Sequence, residues 1–375
     1  MATINDISAA KAFLCNQLLQ LGLGGAVVSR RPTISVSTAV ASAGRNVHAI
    51  GIGKKVTEGK KGSTKCVRVY VVQKLPLSLL SPRDVVPKHL DGVPTDIVEA
   101  EPAFAFGAKK RKTKRKTASK KKRRRSNIKS VSRKSSKSST PACSKNRQKV
   151  QRPVLGGISA GHRDITAGTL GCFCKSSNPS DDSNQLFALS NNHVFANVNQ
   201  ALIGDPLYQP GPADGGGIAD YFANLHRYVP IQLGGTTGNR VDAALGQLIT
   251  SIKAKDEVCS IGRATGTVQA QEDMLVRKHG RTTGYTEGVI DDTDYTGLIG
   301  MDHNDPSVVG LFENQLRIVA DGTAPFGLGG DSGSVVFHRT KKDVVGLYFA
   351  GPPSGMYGLA NRIENVLTEL EIEIG

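Results

Sequence analysis

Apolar positions along this chain fall into short alternating runs more often than into helical stripes. Residues 66–72 (Cys-Val-Arg-Val-Tyr-Val-Val) are nearly alternating and predict a strand over 64–73. Residues 48–56 predict its partner across a Gly59-Lys-Lys-Gly62 turn, and residues 95–100 predict a further strand. Helical spacing is found near the two ends, at Ile7, Ala10, Leu14 and Leu18, and again at Ile363, Val366, Leu367 and Leu370. Between them, from about residue 154 to 360, many short strands and frequent glycine turns predict an all-β unit.

Charge divides the 375-residue chain. The formal net charge is +17, from 49 basic and 32 acidic residues. Twenty-one of the basic residues and none of the acidic ones lie between Lys109 and Arg152, so the remainder is slightly acidic. A tract of this composition cannot bury enough apolar surface to offset its ordering entropy, which predicts a disordered polybasic linker over 108–152. The expected domains are therefore a small α+β module (1–107), the linker, and the β-rich part (153–375). The tract would bind phosphate backbones nonspecifically and with steep salt dependence, and it reads equally as a nuclear-import signal or a plain solvated linker. Its serines, among them Ser130, Ser132, Ser135 and Ser136, are placed for phosphorylation to cancel charge. Aromatic residues do not interleave with the charges, which argues against base stacking.

The strongest chemical signal is Gly330-Asp331-Ser332-Gly333, just before an apolar strand. Such a turn holds one hydroxyl out for attack and aims the amides of Gly330 and Ser332 at a developing oxyanion. A serine needs a base, and the base needs an orienting carboxylate. His193 follows the apolar run 187–189 and polar residues 190–192, and Asp242 sits among apolar neighbours where a carboxylate must be hydrogen-bonded. The pieces Ile261-Gly-Arg-Ala-Thr-Gly266 and His279-Gly-Arg-Thr-Thr-Gly284 lack phosphate-loop spacing and read as β-turns. The loop 209–217 either covers the cleft or simply joins strands.

The order His193, Asp242, Ser332, with these local contexts, resembles the chymotrypsin-like serine proteases over about residues 153–375. Asn192-His-Val194 is closer to the intracellular branches, and residues 152–162, 166–172 and 278–288 resemble bacterial trypsin-like proteins related to plant narrow-leaf-type proteases. The resemblance implies two antiparallel six-stranded Greek-key barrels, over about 154–248 and 258–360, with a C-terminal helix. It also implies a serine endopeptidase working through an acyl-enzyme, without metal or cofactor, on protein or peptide substrates. Phe326 would form the floor of the primary pocket, with Phe349, Ala350, Gly351 and Gly355 around it. Nothing acidic is evident there, so an apolar primary residue is expected.

Departures from the secreted relatives shape further expectations. Val194, not cysteine, follows the histidine. Cys15, Cys66, Cys143, Cys172, Cys174 and Cys259 are scattered and read as reduced structural thiols. Neither a signal peptide nor an 18-residue apolar run is evident, so an intracellular, cytoplasmic protein that does not enter membranes is expected, nuclear if the host is eukaryotic. Val154-Leu-Gly-Gly157 superficially resembles an activation start, but the preceding Arg152-Pro153 favours an ordinary strand. Asp331 then needs another partner, an arginine or backbone amides. Two alternatives stay open: a catalytically silent protease-fold scaffold or peptide binder, and a nucleic-acid-associated protein acting through its basic tract. Self-association is likewise open.

Overall fold

The computed structural model describes residues 2–19, 46–57, 60–80, 85–105, 142–302, 305 and 307–375. Most of the basic tract therefore lies outside the described residues. Helix α1 (Ile4–Leu18) begins at Thr3, whose hydroxyl accepts from the Asp6 amide while the Asp6 carboxylate accepts from the Thr3 amide. Its buried stripe of Ile7, Ala10 and Leu14 packs on strands β1 (Val47–Thr57), β2 (Lys60–Val71) and β3 (Val93–Glu99), through Ile50, Ile52, Val67, Val69 and Val93. β1 and β2 are antiparallel; β3 runs parallel to β2.

The basic tract ends earlier than its composition suggests. Residues 142–146 form the short helix α2 (Ala142–Asn146), and Cys143 is disulfide-bonded to Cys259 with a Cα separation of 5.9 Å. Arg147 donates to the carbonyl oxygens of Ser144, Arg281 and Thr282. These anchors fold residues 142–152, which charge alone had assigned to the linker. The disulfide likewise corrects the expectation of six thiols: a separation of 116 residues leaves no local spacing to reveal it. Cys15, Cys66, Cys172 and Cys174 are free.

The first half of the β-rich part is a seven-stranded sheet rather than a closed six-stranded ring. Strands β4 (Phe173–Ser176), β5 (Phe187–Ser190), β6 (Pro206–Tyr208), β7 (Tyr221–Tyr228) and β8 (Ala244–Leu248) lie in the order β4-β5-β8-β7-β6. Ile372–Glu373 flanks one side and Gly161–His162 the other. In the second half, β9 (Leu275–Gly280), β10 (Gly284–Gly300), β11 (Val309–Ala320), β12 (Val335–His338), β13 (Asp343–Ala350) and β14 (Tyr357–Arg362) pair in the cyclic order β11-β14-β13-β12-β9-β10. The ring is completed by β10 pairing with β11. A last helix, α3 in this half (Ile363–Leu370), buries Ile363, Val366 and Leu370 against Phe187, Leu189, Val335 and Leu347, tying both halves into one core.

The amino-terminal module is not a detached unit. β1 pairs antiparallel with β10 (Ala49↔Gly297, Ile50↔Thr296), so the module's strands continue the second sheet. The seam is polar and buried. Arg68 and Arg317 both donate to Asp291 (2.7 and 2.6 Å), while Asp292 accepts from the Ile52 amide and the Tyr70 hydroxyl. A Cβ on Gly51 would sit 1.7 Å from the Asp292 carboxylate, so only glycine fits there.

Burial makes the fold pH-sensitive. The ring nitrogens of His48 and His279 donate to the carbonyls of Ala100 (3.0 Å) and Gly157 (2.8 Å), and burial pushes both imidazoles down to about 4. Their stabilising contribution is complete above pH ~6.5, the unfolded value, and is lost as pH falls through about 4. Asp292, pushed up to about 6 by burial, works the other way and gains as pH falls below that point. Two histidines with larger shifts outweigh one carboxyl. The unfolding temperature should therefore drop between pH 6.5 and 4; an unchanged midpoint in that window would contradict neutral, buried rings.

Candidate active site

His193 is carried by a single helical turn (Asn192–Phe195) directly after β5. Its Nδ1 donates to Asp242 Oδ2 at 2.5 Å, and its backbone amide donates to Asp242 Oδ1 at 3.1 Å, so both carboxylate oxygens face one residue. Asp242 is fully buried and precedes β8. Its backbone is clamped from two sides: the Asn191 side chain donates to its carbonyl (2.6 Å), and its amide donates to Asn361 Oδ1 on β14 (3.1 Å). The turn after the histidine is left-handed at three successive residues, Asn197, Val198 and Asn199 (φ 48°, 52° and 67°). It is held by reciprocal bonds between Asn192 and Asn199 and by bonds from Asn199 to the backbone of Ile231. Such strain persists only where surrounding bonds over-determine it.

Ser332 lies on a turn whose shape depends on two glycines. Gly330 and Gly333 have φ of 97° and 96°, and a Cβ on Gly333 would lie 2.1 Å from the Thr169 carbonyl oxygen. Thr169 fastens this turn to the first half. Its amide donates to the Ser332 carbonyl and its hydroxyl to the Gly330 carbonyl, both at 2.8 Å. The amides of Gly330 and Ser332 donate to no protein acceptor among the described residues. The Ser332 hydroxyl donates to the Phe349 carbonyl at 3.1 Å rather than to His193, whose buried Nε2 has no hydrogen-bond partner among the described residues. The histidine and aspartate are thus joined, and the serine stands in a different hydrogen bond.

Asp331 is buried beneath the turn and fully partnered. It accepts from the amides of Thr282 (2.7 Å), Thr283 (3.1 Å) and Leu328 (3.0 Å) and from the Thr283 hydroxyl (2.7 Å). Lys278 Nζ lies 3.4 Å away, equally buried. Burial works to raise this carboxyl, but the Lys278 charge and the donors outweigh it and hold it below the usual range. Burial lowers Lys278 despite the attraction of Asp331. The expected partner of Asp331 was an arginine or amides; it is a lysine together with amides. The turn 281–283 that supplies them is the second of the two glycine-flanked motifs. Arg281 next to it makes two bonds to Asp214, which pins the loop 209–217 to the barrel.

The expected pocket residues separate into two groups. Phe326 is buried and packs edge-on against Tyr348 (centroids 6.0 Å apart), and its amide bonds to the Gly355 carbonyl (2.8 Å). The Tyr348 side chain presses on Gly327, Gly351 and Gly358: added Cβ atoms would come within 2.6 and 2.4 Å of its ring at Gly327 and Gly358 and within 2.9 Å of its hydroxyl at Gly351. Lys278 Nζ lies 5.4 Å from both ring centroids, under this floor. Phe349 turns away and stacks on Phe312 (4.8 Å), in a cluster with Ala350. Sequence reasoning missed Thr169, Lys278, Tyr348 and Asn361. The only available signal was a lysine inside an otherwise apolar strand register, which is weak.

No family model and no curated protein matches the chain. Among solved structures it is similar to Thermobifida fusca protease A, with 16% identity and a TM-score of 0.41 over 59% of this chain and 97% of that one. It is similar to the Nocardiopsis protease to the same degree (16%, 0.41, 59% and 98%). For the Cellulomonas bogoriensis chymotrypsin the values are 15%, 0.39, 59% and 98%. Likeness at this level is too loose to carry residue roles across. No described helix is long and apolar enough to cross a membrane.

Proposed function

We propose that the chain is a serine endopeptidase. The observation that carries this reading is the buried His193–Asp242 pair, oriented by two bonds, whose outer ring nitrogen has no partner among the described residues. The reading requires the Ser332 hydroxyl to leave the Phe349 carbonyl for that nitrogen when substrate binds, and catalytic hydrogen bonds commonly form or tighten only then. His193 takes the serine proton as Oγ attacks a peptide carbonyl, and the Gly330 and Ser332 amides hold the oxyanion. The imidazolium then protonates the leaving amine as the C–N bond breaks. Water, deprotonated by His193, hydrolyses the ester and restores the serine. Asp242 holds the ring tautomer and offsets the charge of the imidazolium.

A fluorophosphonate probe tests the reading. It should label wild-type protein at Ser332 and leave Ser332→Ala and His193→Ala unlabelled. Failure to label folded wild type would favour the silent scaffold, for which the Ser332–Phe349 bond is the supporting observation.

Substrate preference follows from the floor. In this reading the buried rings of Phe326 and Tyr348 form an apolar floor, and the nearby Asp331 carboxylate is already paired with Lys278, so it does not attract a cationic side chain. We therefore expect small apolar primary residues, with arginine or lysine disfavoured by about a hundredfold in kcat/KM. A peptide library dominated by cleavage after basic residues would contradict this.

A further inference from the structure

The strand edge leading to Ser332 is already taken by the chain's own amino-terminal half. The Phe349 carbonyl faces the serine hydroxyl. Two residues further on, Gly351 exchanges both backbone bonds with Phe104: its amide donates to the Phe104 carbonyl (3.1 Å), and its carbonyl accepts from the Phe104 amide (3.0 Å). This is the reciprocal pair of an antiparallel bridge. The polarity is informative. Going from Phe104 to Ala105 moves along this edge from Gly351 toward Phe349, and so toward the hydroxyl. In the hydrolytic reading, an acyl donor paired antiparallel on this edge would run that way, with its amino-terminal side at Gly351 and its carbonyl at the nucleophile.

The segment is well seated but lightly tied. Gly300 donates to the Ala103 carbonyl (3.3 Å) and accepts from the Ala105 amide (2.9 Å), and the Tyr357 hydroxyl donates to the Glu101 carbonyl (2.5 Å). Ala103 and Ala105 are buried in the cluster of Phe349, Ala350 and Tyr357. Yet on each side Phe104 forms only an isolated bridge, not a ladder.

We propose that residues 102–105 are an intramolecular ligand of the peptide-binding edge, an autoinhibitory strand that must leave Gly351 before an external polypeptide can pair there. The inference rests on the hydrolytic reading. It implies that the extended partner is a polypeptide adding a strand by backbone bonds, as in other β-augmentation.

The full chain can be tested with two reagents that make different demands. The fluorophosphonate probe needs Ser332 but not the Gly351 edge; an extended peptide substrate needs both. Phe104→Pro removes the amide donor to Gly351, and Tyr357→Phe removes the bond to Glu101. Each should raise kcat/KM for the extended peptide by about tenfold, as the open population grows, while probe labelling stays unchanged. Normal labelling with no gain for the peptide in either folded variant would overturn the proposal and make the segment a fixed part of the sheet. If no form labels, the hydrolytic reading fails instead, and amide hydrogen exchange then decides on the strand. Exchange at Phe104 and Ala105 at least about tenfold faster than at Leu316 and Ile318 of β11 would support a detachable ligand; equal protection would overturn it.

Discussion

Replacing Ser332 by alanine is expected, on the proposed hydrolytic reading, to lower turnover of a peptide substrate by roughly five to six orders of magnitude, because in that reading nucleophile, base and orienting carboxylate act as a unit. The fold should survive. The hydroxyl's bond to the Phe349 carbonyl is worth about 1 kcal/mol, and the turn is fixed independently by Thr169 and by Gly330 and Gly333. His193→Ala should cost a similar factor, and combining the two changes should add little. What activity remains would come from the Gly330 and Ser332 amides and from substrate binding. Turnover measured on a small apolar peptide, beside an unfolding curve for each variant, checks this. A loss of only a few-fold in folded protein would refute the assignment.

Lys278→Met is expected to be the most destabilising single change near the site, by about 3–5 kcal/mol, since it leaves a carboxylate buried without its countercharge. Lys278 and Asp331 are both inaccessible to solvent, so water cannot compensate. Removing Asp331 as well would not rescue the fold, because the amides of Thr282, Thr283 and Leu328 would then lose their acceptor. The damage should reach Ser332, one residue along, and slow its labelling. Denaturant unfolding reads the first effect and probe kinetics the second. A cost below about 1 kcal/mol would mean that the amides alone satisfy the carboxylate. The cradle of Lys278 and the Thr282, Thr283 and Leu328 amides holds Asp331 without any chain terminus. Val154 meanwhile lies in an ordinary strand pairing, with its amide bonded to Lys253.

How much of this was legible depended on how local each signal is. Alternation and helical spacing disclosed β1, β2, α1 and the last helix, because each buries one face and the pattern repeats within a few residues. The His193–Asp242 contact could be anticipated because strand-end residues are written in short runs, whereas the Ser332 hydroxyl bonds to Phe349, a partner its glycine turn does not reveal. The partners of Asp331 were not legible, since Lys278 and the 281–283 turn lie about fifty residues upstream and only the barrel closure brings them near. The packing around Phe326 was hidden for a similar reason: Gly351 was expected beside a pocket, whereas it, like Gly327 and Gly358, makes room for Tyr348. The 1–107 module looked separable because a composition boundary follows it, yet register with β10 is a property of pairing that no composition reveals.

That shared register has a consequence for the integrity of the polypeptide. The first hundred residues are held by sheet bonds, by the Arg68–Asp291 pair and by the Lys11–Asp294 pair, while the one disulfide lies wholly within residues 142–375. Covalent continuity between the two portions is therefore not what keeps them together. Residues 1–105 and 142–375, co-expressed as separate polypeptides, should co-purify as a one-to-one complementation pair; two species resolving on gel filtration would show that the peptide link itself is required.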